Sequence, residues 1–436
     1  MNQFNVSLWG DEAFAATLAV KPVIDIVRIV ARDTSPPLYY LCLHFWMKLF
    51  GTSEVAIRSL SFLFFLGTVV TVFLIGRHLW DKKTGFLAAL LAFTNSFLFT
   101  YAFEGRMYAI LAFTSTLAVY FFLKKNFWGF VLAATAALYS HHFSIFILGF
   151  LGFWGLLPAG RQVGQDKFNF KKAWIIRPAL VVGLLYLPWL YPLYYQTTLV
   201  GSGFWLGKPT VIELLGVVVK FLVGEPRTMV QKLALGVFLL TMVFRRVKRG
   251  TKGEKGTIFL LGWFFAPLIL PFAVSQLFQS IFYDRYMLAS IPAACLLLAS
   301  NRQKGSTILL TVIIILLGYH NWQYFIHPTK RPFRELANYL KQERIDIPTI
   351  NYNAAAHHLW ESKYYGLKAP IYAPTPLPFY TGTALMQSGD VIDKLPDSNQ
   401  ILAISSARPN EVKIAGYQVI QSKSFNDQLW LVWLEK

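Results

Sequence analysis

Long apolar runs alternate with short clusters of basic residues over the first three-quarters of the chain, and this pattern limits the fold more than any other feature. The clusters are Arg77, Lys82 and Lys83; Lys124 and Lys125; Arg161, Lys167, Lys171, Lys172 and Arg177; Arg245, Arg246, Lys248, Arg249, Lys252 and Lys255; and Arg302 with Lys304. Only 14% of the 436 residues are charged and 55% are hydrophobic. Soluble domains carry about 25% charged residues. Thirty-eight Phe and thirteen Trp add more aromatic surface than one soluble core of this size can hide. The chain is built for lipid.

The formal charge of +19 has a topological explanation. Residues 1–327 hold 29 Lys/Arg against 12 Asp/Glu, whereas 328–436 hold 12 against 10. The excess thus belongs to the apolar part, and the five clusters supply 18 of those 29. Basic loops mark the cytoplasmic side of a multi-pass protein, so no nucleic-acid partner is needed. Cys42 and Cys295 both lie in apolar surroundings, which excludes a disulfide framework.

Ten spanning helices are expected near 58–78, 85–101, 107–123, 127–141, 143–160, 178–196, 228–244, 257–279, 286–300 and 305–326, although 127–141 and 286–300 are short for a span. With 58–78 running inward, every later basic cluster lands in the cytoplasm. The outer, extracytoplasmic face then receives residues 1–57, the short loops near 101–107, 140–142 and 280–285, the segment 196–227, and everything after His327. Residues 1–35 carry Asp11, Glu12, Asp25, Arg28, Arg32 and Asp33, which is too polar for a span. An outer amino terminus needs a first transmembrane helix to carry it across, so an apolar stretch of about 20 residues is expected in the upstream reading frame.

The expected architecture is an α-helical polytopic membrane protein with a small C-terminal extracytoplasmic α/β domain. It divides into a first outer loop with juxtamembrane helices (1–57), a transmembrane module (58–327) and the outer domain (328–436). In the last, 334–344 reads as an amphipathic helix and 348–352, 400–405, 417–424 and 428–435 as strands. His357-His358 reads as a surface pair on a helix.

The chemistry rests with scarce acids and arginines on the outer face. Asp11-Glu12 follows the apolar Leu8-Trp9-Gly10, and Asp33 precedes Pro36-Pro37, which places it close to a helix start. Glu104 and Arg106 sit between two apolar helices, His141-His142 fill a third loop, and Arg285 with Tyr286 opens a late helix. Each has a plain structural alternative. Asp33 as a cap, Asp11-Glu12 as a solvated loop and Glu104–Arg106 as an ion pair closing a hairpin would all be ordinary, as would His141-His142 bonded to backbone and Arg285 as an interfacial anchor. Their convergence on one face favours chemistry. Carboxylates that can deprotonate a hydroxyl share a side with guanidiniums that can hold a phosphate.

The motifs resemble a family. Ser7-Leu8-Trp9-Gly10-Asp11-Glu12-Ala13-Phe14 is similar to the first-loop motif of the polytopic C-type glycosyltransferases, and more narrowly of the protein O-mannosyltransferase-like family 39 and its aminoarabinose-transferase relatives. Asp33 with Pro36-Pro37-Leu38-Tyr39-Tyr40-Leu41 resembles that family's next signature. Glu104-Gly105-Arg106-Met107-Tyr108-Ala109 resembles its Glu-Ala-Arg-Met-Tyr-Ala loop, and Arg285-Tyr286-Met287-Leu288 its late Arg-Tyr-Leu-Leu element. Phe333-Arg334-Glu335-Leu336-Ala337 is similar to the opening of the outer domain in bacterial members. Ser35 departs from the family's basic residue before the prolines.

The resemblance implies an inverting transfer of one sugar from a polyprenyl-phosphate donor to an extracytoplasmic acceptor: a protein hydroxyl, a lipid glycan or a cell-envelope polymer. It assigns Asp11 as general base, with Glu12 in support. Asp33 and Glu104 would orient acceptor and sugar, Arg106 and Arg285 would meet the lipid phosphate, and Tyr286 and His142 would belong to the substrate site. Some relatives use a divalent cation; Asp11 and Glu104 would be its ligands here, and the sequence does not decide the matter. The segment 201–227, with Trp205, Lys208 and Lys220, suits an acceptor cleft or an interfacial amphipathic helix. The alternatives in other classes are a lipid-linked-sugar flippase or transporter, and a catalytically silent relative that binds glycan.

Overall fold

The computed structural model describes residues 1–157, 174–243, 252–300, 304–352 and 356–436. Arg161, Lys167, Lys171 and Lys172, the 245–249 cluster and Arg302 lie outside them. The chain forms two compact units. One comprises residues 1–34, 40–59 and 325–436, and the other 35–39 and 60–324.

In the first unit, a six-stranded sheet has the order β3-β2-β1-β4-β6-β5. Its strands are β1 (Thr349–Asn351), β2 (Ile371–Tyr372), β3 (Val391–Ile392), β4 (Gln400–Ser405), β5 (Gln418–Phe425) and β6 (Leu429–Glu435). β1 to β4 pair in parallel, and β6 runs antiparallel to both β4 and β5. The four expected strands are present; β2 and β3 are two residues each, too short to give a periodicity. β4 is central and covered on both faces. Leu402 and Ile404 join one core with Phe333, Leu336 and Trp433, while Ile401 and Ala403 join another with Ile350, Val432 and Leu434. Alternate residues of a strand point to opposite faces, so one strand serves two cores. β5 is the exposed edge, and its Gln, Ser and Lys side chains suit that place. Asn426 and Asp427 take positive φ in the turn to β6, a conformation that Asn and Asp tolerate well.

The expected amphipathic helix is Phe333–Gln342, with Phe333, Leu336, Ala337 and Leu340 buried at helical spacing. A second helix, Ala356–Tyr364, packs against the Gly10–Ala19 helix of the first loop. Gly10 makes that contact possible, since a Cβ there would lie 2.3 Å from the Cβ of His357. Phe14 meets Trp360 edge-on at 5.3 Å. His358 is fully buried, which corrects the expectation of a surface pair; only His357 reaches solvent.

The second unit is a helical membrane module, and the chain is a multi-pass membrane protein. The number of full-length spans corrects the expectation of ten. Among the described residues four helices are long and apolar enough to cross: Glu54–Leu79, Ile176–Gly201, Lys255–Leu277 and Gly305–Ile326. The pair Lys82–Thr94 and Ser96–Ala102, bent by 64°, passes the same test only when taken together, as a broken span or a re-entrant loop. The other expected spans fall on shorter elements, such as Tyr108–Leu123, Phe127–Ser140 and Ser144–Leu156. At 1.5 Å per residue these reach about 20–24 Å, less than the roughly 30 Å hydrocarbon core. The expected span at 286–300 is a 3-10 segment, Asp284–Ser290, followed by the Ile291–Ala299 helix.

The bend has a local cause. Asn95 leaves helical geometry and caps the Ser96–Ala102 helix, accepting from the Leu98 N–H at 3.0 Å. Its amide also donates to the Phe221 carbonyl at 2.8 Å. The Thr94 carbonyl freed by the break accepts from Asn321 Nδ2 at 3.0 Å. A broken helix in lipid requires such internal partners. The break directs the chain into the turn that carries Glu104 and Arg106.

Candidate active site

Asp11 and Glu12 are adjacent at the start of the Gly10–Ala19 helix, about 100° apart around its axis, and have different surroundings. Glu12 is fully buried. Its Oε1 accepts from Arg58 Nε at 2.9 Å, and its Oε2 from Arg58 Nη2 at 2.6 Å and Lys330 Nζ at 2.9 Å. Arg58 is equally buried and donates to the carbonyls of Phe4, Val6 and Ser7 at 3.1, 2.5 and 3.0 Å. This satisfied charge cluster ties the turn at the entry of the first loop to the helix that follows. Asp11, by contrast, keeps a quarter of its side chain exposed, with His357 Nδ1 3.9 Å from its Oδ1.

The tail grips the same loop. Glu335 accepts from Ser7 Oγ at 2.9 Å, Tyr365 Oη accepts from the Leu8 N–H at 2.8 Å, and Arg334 donates to the Asn5 carbonyl at 2.9 Å. The Phe333-Arg334-Glu335 motif is therefore a clamp on the first loop. Sequence reasoning missed Arg58, Lys330 and His357 as members of this cluster. Arg58 carried a signal, as a lone cation at the start of a long apolar helix; Lys330 and His357 carried none.

Glu361, on the helix beside Asp11, is 1% exposed, and neither carboxyl oxygen has a hydrogen-bond partner. Burial holds its carboxyl well above the ordinary range; Arg331 opposes that shift, and Glu12 and Asp11 reinforce it. Burial, helped by Arg331 and His357, pushes the His358 imidazole down to about 3. Asp33 is buried just past the Val23–Ala31 helix. The Leu38–Phe50 helix begins five residues later, so Asp33 does not cap it.

In the second unit Arg285 is held by aromatic rings. Its Nη2 donates to Tyr283 Oη at 2.7 Å, and its guanidinium lies 4.4 Å from the Tyr283 ring centre and 5.4 Å from that of Tyr108. Tyr286 packs against Phe143 at 5.0 Å and His141 at 4.9 Å. Asp284 accepts from Lys220 at 2.6 Å, and Lys220 also pairs with Glu225 at 2.9 Å. Glu104 and Arg106 occupy the turn before Tyr108, where the Arg106 N–H donates to the Glu104 carbonyl at 2.7 Å. His142 Nε2 meets Gln196 Oε1 at 2.7 Å, and Gln196 Nε2 donates to the Ser35 carbonyl at 3.3 Å.

A cavity of about 610 Å³ opens beside this cluster, lined by Trp205, Lys208, Glu213, Lys220, Tyr283 and Asp284 among others. Residues of the 201–227 segment form part of its wall. Thr210 and Glu213 form a capping box that starts the Val211–Val223 helix. Among the described residues no three His, Cys, Asp or Glu side chains gather as a metal-binding group. Asp11 belongs to the first unit and Glu104 to the second.

The model of the family described as dolichyl-phosphate-mannose-protein mannosyltransferase matches residues 34–191. Among solved structures, ArnT from Cupriavidus metallidurans in the apo state shares 12% identity at a TM-score of 0.65, over 98% of this chain and 94% of that one. The same protein bound to undecaprenyl phosphate gives 12% identity and 0.63, over 99% and 95%. At this identity the likeness is one of fold. No curated protein sequence matches. The resemblance to the polytopic glycosyltransferase superfamily thus holds at the level of the family model and of the fold.

Proposed function

We propose, from this family-level match, that the chain is a membrane glycosyltransferase. It moves a single sugar, with inversion, from a polyprenyl-phosphate donor to a hydroxyl-bearing acceptor outside the cytoplasm. The carrying observation is the contrast between Glu12, locked by Arg58 and Lys330, and Asp11, left partly open on the same helix. One acid of the motif is a buried strut, and the other keeps a quarter of its side chain exposed. The donor class is supported by the family description and by the undecaprenyl phosphate bound to ArnT.

In this reading the Asp11 carboxylate takes the proton of the acceptor hydroxyl as its oxygen attacks the anomeric carbon. The bond to the carrier phosphate breaks on the opposite face, and its electron pair leaves with the polyprenyl phosphate. A base in reach contributes about 10²–10⁴-fold. Arg285, oriented by Tyr283 and Tyr108, and Arg106 meet the charge on the departing phosphate, which a planar guanidinium fits in a bidentate way. Glu104, Asp33, Tyr286 and His142 orient sugar and acceptor. A divalent cation, if the reaction uses one, would bind Asp11 or Glu104. The acceptor is a protein hydroxyl, a lipid glycan or an envelope polymer. The test is transfer from a panel of labelled polyprenyl-phosphate sugars by purified protein. Transfer lost in Asp11→Asn is the expected result; lipid scrambling without transfer overturns the reading in favour of a flippase.

A further inference from the structure

The cavity of about 610 Å³ in the second unit has an aromatic corner. Trp205 and Tyr283 both line it, with ring centres 5.1 Å apart and planes at 83°, and Trp205 is 49% exposed. The loop that carries Trp205 is pinned from the side. Gln279 Nε2 donates to the Phe204 and Leu206 carbonyls at 3.1 and 3.4 Å, and Gln276 Nε2 to the Pro209 carbonyl at 2.6 Å. The Val211–Val223 helix leaves a gap in the opposite lining. Gly216 lies in its middle, where glycine is destabilising relative to alanine, and nothing comes within 4 Å of the place its Cβ would take. The missing side chain gives the cavity room.

The charges of the lining cancel, and each has a partner. Lys220 pairs with Asp284 and with Glu225, Lys208 Nζ donates to the Gln276 carbonyl at 3.2 Å, and Glu213 caps its own helix. Two cations and two acids give no net field for a phosphate or a carboxylate. Their remaining donors and acceptors still suit hydroxyls, which both donate and accept. A sugar ring matches this lining, with an apolar C–H face for a half-open Trp ring and hydroxyls for the polar groups around it. A peptide is served less well. Among the described residues all strands belong to the first unit, so no strand edge is offered to a peptide backbone here.

We infer that this cavity seats a neutral sugar unit of a glycan acceptor against Trp205, an inference that rests on the chain being a transferase. It narrows the acceptor from any hydroxyl to a saccharide. Tyr283 links the site to the donor. Its ring lines the cavity, and its hydroxyl accepts from Arg285 Nη2 at 2.7 Å. A sugar resting on Tyr283 therefore steadies the guanidinium assigned to the departing phosphate, so that acceptor and donor are sensed through one side chain.

The test is binding of labelled neutral hexose oligosaccharides, free and lipid-linked, to the full-length protein in detergent. Acidic oligosaccharides and a Ser/Thr-rich peptide are run alongside, and transfer is measured on the same preparations. Neutral oligosaccharides should bind in one or both presentations. Trp205→Ala should weaken them roughly tenfold or more, and Trp205→Phe should keep most of the affinity. Gly216→Leu should block the cavity while the protein unfolds no earlier than wild type. Tyr283→Phe keeps the ring and loses the hydroxyl, so oligosaccharide affinity should hold while KM for the polyprenyl donor rises about tenfold or more. The inference is overturned if only acidic glycans or only the peptide bind, if nothing binds, or if Trp205→Ala and Gly216→Leu bind as wild type. An unchanged donor KM in Tyr283→Phe overturns the link to Arg285. The two readings fail separately. Neutral oligosaccharide held through Trp205 without transfer from any donor leaves the site standing and sinks the transferase; transfer to a glycan that ignores both cavity variants does the reverse.

Discussion

Arg58 and Glu12 form a bidentate ion pair, at 2.9 and 2.6 Å, in which both side chains are fully buried. Breaking such a pair leaves an uncompensated charge in the interior and costs about 3–5 kcal/mol. Glu12→Gln and Arg58→Lys should both lower the apparent unfolding temperature in detergent. Arg58→Lys should do so because ammonium cannot replace the fork that serves Glu12 and three carbonyls. Combining Arg58→Met with Glu12→Gln should cost less than the sum of the single changes, which a double-mutant cycle would read directly.

Asp11→Asn should give the opposite pattern. Its side chain is partly exposed, so the unfolding temperature should stay within error of wild type while sugar transfer falls about 10²–10⁴-fold. Measuring both quantities on Asp11→Asn and Glu12→Gln assigns one acid to chemistry and the other to architecture.

Arg285→Lys should keep the charge and lose the geometry. The guanidinium stacks against Tyr108 and Tyr283 and donates to the Tyr283 hydroxyl, none of which an ammonium reproduces equally. Losing one charge-assisted bond of about 1.5–3 kcal/mol should reduce kcat/KM for the polyprenyl donor by roughly 10- to 150-fold.

Glu361 gives a prediction in pH. Its folded carboxyl titrates well above the ordinary value of 4.5, so the folded state holds a proton that the unfolded chain releases. Stability from this group is complete below about pH 4.5 and declines as pH rises toward the folded value. Glu361→Gln should therefore raise the unfolding temperature relative to wild type at pH 8, with the difference shrinking toward pH 4. His358 acts in the other direction. Its folded value of about 3 lies below the ordinary 6.5, so its contribution is lost as pH falls between those values.

Gly10→Ala should destabilise the first unit by about 1–3 kcal/mol, because the new methyl meets His357 backbone and side-chain atoms at 2.3–2.6 Å. Relief in Gly10→Ala/His357→Gly would trace the loss to that contact.

Much of this was legible in the chain. β4, β5 and β6 and the Phe333–Gln342 helix lie within two residues of the expected bounds; the helix buries a regular face and β4 and β6 are apolar and buried almost throughout, whereas β5 is an exposed edge. The two-residue strands β2 and β3 were not legible, since only their neighbours' hydrogen bonds define them. The expected ten spans overcounted full-length crossings. Hydropathy measures how apolar a run is, while Asn95 and the 3-10 turn at Asp284–Ser290 decide where a helix stops.

The sequence by itself determined the solvent and the short roll of acids and arginines worth testing, because lipid admits charge only where it has a task. The resemblance gave Asp11 and Glu12 different roles, but the two neighbours have the same chemistry and no local pattern distinguishes them. Tertiary structure gives them different surroundings. Residues 46 and 318 positions away bring Arg58 and Lys330 to Glu12, and a tail helix brings His357 to Asp11. Whether a carboxylate is a strut or a base depends on which partners long-range packing supplies, and no local pattern encodes those partners.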